Sequence, residues 1–157
     1  MDASAENREW IRFKHARFTA RFPADFKYAR SHYWMAPVEG EAGLWRVGFT
    51  KFATRMLGEL VDFNFQVPEG GEVAPGQQIG YVEGFKAASD VFCVMEGKFA
   101  GMNPALREDA CIVRTDPYLV GWLYSVRGEP EPEHLDVHGY VALLNATITK
   151  MAEEEHA

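Results

Sequence analysis

In the run GYVEGFKAASDVFCVMEG, residues 80–97, a single lysine, Lys86, stands between two segments in which apolar and polar residues alternate. That alternation has the period of two that a half-buried strand requires, so the run predicts two antiparallel strands with Lys86 at the turn between them. The small residues Ala87 and Ala88 follow and leave the amine uncovered. The same period extends upstream, where Val61, Phe63, Phe65 and Val67 alternate with Asp62, Asn64 and Gln66. A helix would scatter these phenylalanines around its surface. Further strands are expected over residues 33–38, 44–49, 79–84, 89–95, 98–102 and 122–126. Glycine and proline punctuate them at residues 39–43 and 68–71 and at Pro75-Gly76, a pair that fits the centre of a type II turn.

One short helix interrupts the strands. Thr50 is placed to cap it, Phe52, Ala53, Met56 and Leu57 form its apolar stripe, and Gly58 supplies the stop. After Glu129-Pro130-Glu131-Pro132, the residues Leu135, Tyr140, Leu143, Leu144, Ile148 and Met151 suit a C-terminal helix packed on the body. Many short strands with frequent turns predict a mainly β barrel or sandwich.

A chain of 157 residues with 47% hydrophobic content can bury a real core as one domain. The start, MDASAENREW, lacks an apolar signal region, and no run is long and apolar enough to span a membrane, so the expected location is cytoplasmic. A net charge of −7 argues against nucleic acid and anionic membrane as partners. The charge is uneven: residues 1–30 carry seven Lys/Arg against four Asp/Glu, and the remainder nine against nineteen. Residues 1–22 are read as a basic N-terminal extension, expected to be solvated, and residues 23–157 as the domain proper. Cys93 and Cys111 lack metal-ribbon or CxxC spacing. His134 and His138 have metal-compatible spacing but sit at an acidic helix start and read as solvated, so no metal site is expected. Neither a phosphate-binding loop, a dinucleotide fingerprint nor a GxSxG nucleophile is present, and an enzyme acting alone is not expected.

From about Phe22 to the C-terminal helix, the sequence resembles the H protein of the glycine cleavage system, a lipoyl carrier. The segment EGFKAASD, Glu83 to Asp90, is similar to the family's E-S-V-K-A-x-S-D around its lipoylated lysine. Ser31-His32-Tyr33-Trp34 resembles S-H-E-W, Gly48-Phe49-Thr50 and Leu57-Gly58-Glu59 resemble G-I-T and L-G-D, and Asp116-Pro117-Tyr118 with Gly121-Trp122 resembles the late P-Y-x-x-G-W. The resemblance implies a barrel-sandwich hybrid of the lipoyl/biotinyl type with lipoate on Lys86, and Glu83, Gly70 and Gly97 as residues read by a lipoate-attaching enzyme. Biotin is the near competitor, but biotinyl domains flank their lysine with methionines, whereas Phe85 and Ala87 flank this one. Acylation would also remove the ammonium charge and leave a neutral tether.

The resemblance thins at three places. Tyr33 replaces the glutamate that, in the family, holds the ammonium of the aminomethyl cargo, while Ser31, His32 and Asp90 keep the other positions expected to contact arm or cargo, His32 reading as a structural hydrogen-bonder rather than a base. Leu119 replaces the glycine after P-Y, and Cys93 and Cys111 could be neighbours in this fold, forming a redox pair, or simply be packed. These departures point to the lipoate-binding proteins of sulfur oxidation, which work beside a heterodisulfide-reductase-like complex. The alternative is authentic glycine cleavage with glycine decarboxylase and aminomethyltransferase, and either pathway would include a dihydrolipoamide dehydrogenase. A free-standing redox enzyme and an unmodified interaction domain are the readings from other classes.

Overall fold

A computed structural model describes residues 8–155; residues 1–7 of the basic extension and 156–157 of the acidic tail lie outside the described residues. The chain runs through β1 (Trp10–His15), β2 (Phe18–Pro23), β3 (Lys27–Tyr28), β4 (Tyr33–Pro37), β5 (Leu44–Phe49), α1 (Lys51–Leu57), β6 (Leu60–Phe65), β7 (Glu72–Val73), β8 (Gln78–Gly84), β9 (Ala88–Phe92), β10 (Met95–Met102), a 3-10 turn (Pro104–Arg107), α2 (Ile112–Thr115), β11 (Tyr124–Pro130) and α3 (Val137–Glu155). A six-stranded sheet in the order β3-β4-β5-β11-β10-β7 faces a three-stranded sheet β6-β8-β9, and β1-β2 stands apart as a hairpin. This is the mainly β barrel-sandwich with an internal and a C-terminal helix that the sequence predicts. Among the described residues no helix is long and apolar enough to cross a membrane.

Two hydrophobic clusters share β4. Tyr33 and Met35 enter the cluster between the sheets with Val47, Phe49, Val82 and Val91. Trp34 and Ala36 enter a second cluster with Phe13, Phe18, Phe22, Phe52, Tyr140 and Leu144. Because successive strand residues point to opposite faces, a strand with a core on each side must be apolar at every position, which is why YWMA shows no alternation. The Trp34 ring lies over Gly48 on the neighbouring strand; a Cβ there would come within 2.6 Å of the indole. Only glycine permits that approach.

The described part of the basic extension, residues 8–22, is not a solvated arm. Its β1 and β2 pair antiparallel from Trp10↔Pro23 to His15↔Phe18. Phe13, Phe18 and Phe22 face inward, with Phe22 edge-on to Tyr140 of α3 at 5.4 Å and Phe18 edge-on to Phe52 of α1 at 5.7 Å. Burying those rings stabilises the hairpin, which two strands alone could not sustain in water.

The Pro75-Gly76 turn forms as expected, with Gln77 N–H donating to Ala74 O and Gly76 at φ +87°. Thr50 precedes α1 but does not cap it with its side chain; Thr50 Oγ1 instead lies 2.7 Å from the Tyr140 hydroxyl. In β6, a register shift between Leu60 and Asp62 turns Val61 outward, so the predicted inward alternation begins only at Phe63.

Candidate functional site

Lys86 sits in the turn between β8 and β9, closed by Gly84 N–H donating to Ala87 O at 2.9 Å. That turn does not hang free. Phe85 N–H donates to Glu59 O and Lys86 N–H donates to Leu57 O, each at 3.0 Å, so the end of α1 forms a shelf beneath the lysine. Two glycines allow the approach. A Cβ on Gly84 would lie 2.2 Å from Leu57 O, and one on Gly58, at φ +76°, would press to 3.0 Å on Lys86 Cγ. The side chain itself is exposed, and its Nζ donates a single 3.3 Å hydrogen bond to Arg55 O. A rigid backbone under a projecting, lightly held amine is what covalent loading of a long acyl arm requires. The residues present fit such a group. Around the lysine lie exposed apolar side chains, Phe85 at 75%, Val61 at 50% and Met56 at 46%.

The sequence-predicted residues distribute unevenly. Glu83 is exposed on β8, three residues before the lysine and opposite Ala88. Gly70 and Gly97 belong to the other sheet's side. Gly70, at φ +85°, donates its N–H to Phe99 O, and Gly97 pairs with Val73 and Gly128, where a Cβ would meet Arg127 O at 2.1 Å. Both glycines are thus required by the backbone at their own positions, and neither touches the lysine turn.

Ser31 and Asp90 are exposed, Asp90 accepting from Gln78 Nε2 at 2.9 Å. His32 and Tyr33 turn inward. His32 Nδ1 lies 2.8 Å from the Tyr140 hydroxyl, and burial pulls its pKa down to about 4. The Tyr33 ring stacks on Phe49 at 5.3 Å with only 3% exposure, and burial pushes its pKa up to about 12. Its hydroxyl accepts from Phe92 N–H at 3.0 Å. The Tyr124 hydroxyl accepts from Val94 N–H and donates to Phe92 O. Two phenols therefore satisfy the backbone groups freed where β9 ends and β10 has not begun. Tyr33 was expected at the arm's surface; it is instead a buried support for β9.

No disulfide joins the two cysteines. Both are free. Cys93 is fully buried, donates to Met95 O at 3.1 Å, and has its pKa raised by burial. Cys111 donates to Glu59 Oε1 at 2.9 Å, and that carboxylate pushes the thiol up to about 11. The two share no partner, and neither is poised as a thiolate. Sequence reasoning missed the shelf itself. Leu57-Gly58-Glu59 was legible as a helix stop, but its contact with the lysine turn had a signal only in the paired glycines 58 and 84.

A barrel-sandwich that presents one lysine on a braced turn is the layout of a carrier domain. A family model described as Glycine cleavage H-protein matches residues 26–150. The glycine cleavage system H protein of Corynebacterium jeikeium is 38% identical over 124 residues, covering 76% of this chain and 94% of its own. That of Coxiella burnetii is 37% identical over 131 residues, covering 81% and 98%. A crystal structure of a glycine cleavage system H protein from Mycobacterium marinum superposes with a TM-score of 0.68 at 34% identity, covering 77% of this chain and 97% of that one. The chain belongs to the glycine cleavage H-protein family, whose members carry lipoate covalently on a lysine.

Proposed function

We propose that the chain is the lipoyl carrier of a glycine cleavage system, with Lys86 as the attachment site. A lipoate-attaching enzyme loads it, and it serves glycine decarboxylase, aminomethyltransferase and dihydrolipoamide dehydrogenase in turn. The observation that carries this reading is the exposed Lys86 side chain above a backbone pinned to Leu57 and Glu59. When bound, the lipoyl group supplies a disulfide that is opened and re-formed as the carrier cycles. The protein's own part is to hold the turn still, leave the amine reachable through Ala87 and Ala88, and present Glu83 beside it. The domain that does this is residues 23–157, with residues 1–22 as an N-terminal extension whose described part, residues 8–22, packs upon it.

Sulfur oxidation loses its footing. The relatives reported above carry the glycine cleavage name, which favours the alternative. A heterodisulfide-reductase-like partner has no support.

The test is loading of the full chain with a lipoate ligase, lipoate and ATP, read by intact mass, followed by a glycine decarboxylation assay. One adduct is expected on the wild type and none on Lys86→Arg, whose melting temperature should be unchanged because the side chain packs against little. An adduct on Lys86→Arg would refute the site, and a loaded wild type that supports no glycine decarboxylation would refute the pathway.

A further inference from the structure

The hairpin β1-β2 lies outside residues 26–150, the part matched by the family. Its outward face carries Arg12, Lys14 and Arg21, with Arg17 at the turn, all exposed. Among the described residues none of these four forms a salt bridge; the ion pairs present are Arg8–Asp25 and Arg127–Glu41. Arg12 and Arg21 are direct cross-strand partners. Like charges directly opposite destabilise a strand pair, and no ion pair among the described residues offsets them. Arg21 is held in place over the Trp10 ring at 4.4 Å, which orders its guanidinium without neutralising it. The hairpin also reaches the lysine turn through one residue. The Arg55 guanidinium lies over Phe18 of β2 at 5.4 Å, and the Arg55 carbonyl accepts from Lys86 Nζ. The hairpin, through the inward face opposite its basic one, and the attachment lysine therefore contact the same helix, α1, with Arg17 in the turn next to Phe18.

We propose that this face docks on an acidic protein surface beside the active-site entrance of the enzyme that receives the arm. The inference rests on the carrier reading above, because a protein that takes an arm from Lys86 must close over the end of α1, and the hairpin packs against that same helix. Nucleic acid and anionic membrane are the weaker occupants, since residues 31–157 carry nineteen acidic against nine basic residues and a polyanion would repel the remainder of the chain. A localised acidic patch on a folded partner meets the hairpin without meeting the acidic body.

The experiment uses the lipoylated full chain as variable substrate for glycine decarboxylase at about 50 and 500 mM KCl, spanning weak to strong screening. The test variant is Arg12→Glu/Lys14→Glu/Arg17→Glu/Arg21→Glu, with glutamine and all-lysine sets beside it. At low salt the glutamate set should raise KM about tenfold with kcat unchanged, the glutamine set less, and the all-lysine set within about twofold of wild type. At high salt the gap should close. Melting temperature and reduction by dihydrolipoamide dehydrogenase check that each variant is folded with an intact arm, and the single Arg17→Glu change serves if the multiple set does not fold. Equal KM values at low salt overturn the docking face and leave the carrier reading standing. No turnover of the loaded wild type overturns the carrier reading, and the docking face with it. Binding of a DNA duplex or phosphatidylserine vesicles that the glutamate set abolishes, or self-association that it abolishes, would assign the face to that occupant and overturn the proposal.

Discussion

His32 holds a neutral imidazole inside the fold, at φ +73°, with its ring 4.7 Å from Phe52 and its Nδ1 on the Tyr140 hydroxyl. Burial lowers its pKa to about 4, whereas an unfolded chain offers a histidine near its ordinary value of about 6.5. Between those values the unfolded state binds a proton that the folded state refuses. The stabilisation is therefore complete above pH ~6.5 and drains away as pH falls towards 4, reaching at most roughly 3 kcal/mol. Urea denaturation at pH 8, 6 and 5 should show this loss, and His32→Gln should flatten it. A slope unchanged by the substitution would place the titration elsewhere. The sequence put His32 and Tyr33 beside the arm because their neighbours in the S-H-Y-W run matched a motif. It could not show which way the side chains turn, since that depends on Tyr140 and Phe92, 108 and 59 residues away.

At the level of elements, the lysine turn and the end of α1 act as one unit. Gly84→Ala should drive a methyl into Leu57 O and lift the turn from its shelf. Lipoate attachment by the ligase should slow by about tenfold or more, with a stability loss of roughly 1–3 kcal/mol. Normal loading kinetics in this variant, measured by intact mass against time, would mean that the shelf does not matter to recognition. The strands nearest Lys86 were legible in outline because each has one buried face, and β5 appears over the expected residues 44–49. The hairpin β1-β2 was not foreseen, although Phe18, Ala20 and Phe22 alternate with Thr19 and Arg21 as clearly as any strand. Charge concealed it: basic residues on one face read as solvated surface until the cover for the other face is known. That cover comes from α3, at the far end of the chain, together with Phe52 of α1.

Across the whole molecule, β4 separates two cores that share its backbone. The inter-sheet core was predictable from period-two patterning, while the aromatic core between hairpin, α1 and α3 depends on contacts that no local pattern contains. Phe22 is fully buried there, against Tyr28, Tyr118 and Tyr140. Phe22→Ala should cost about 3–5 kcal/mol. Because β4 serves both cores, the loss should appear as one cooperative transition shifted to lower denaturant. Separate unfolding phases by tyrosine fluorescence and far-UV circular dichroism would show that the cores are independent.

The hairpin and α3 also set an order of assembly. His15 meets Asn145, and Tyr28 pairs with Leu135, so the two chain ends close on each other. The strands of the lysine sheet, β6, β8 and β9, lie together within residues 60–92 and can find one another early in synthesis. Phe13, Phe18 and Phe22 leave the ribosome before that sheet but must wait for Tyr140 and Leu144. A nascent chain therefore carries an amphipathic basic hairpin with its apolar side open until α3 has been made, and a segment that precedes the lysine sheet is sealed after it.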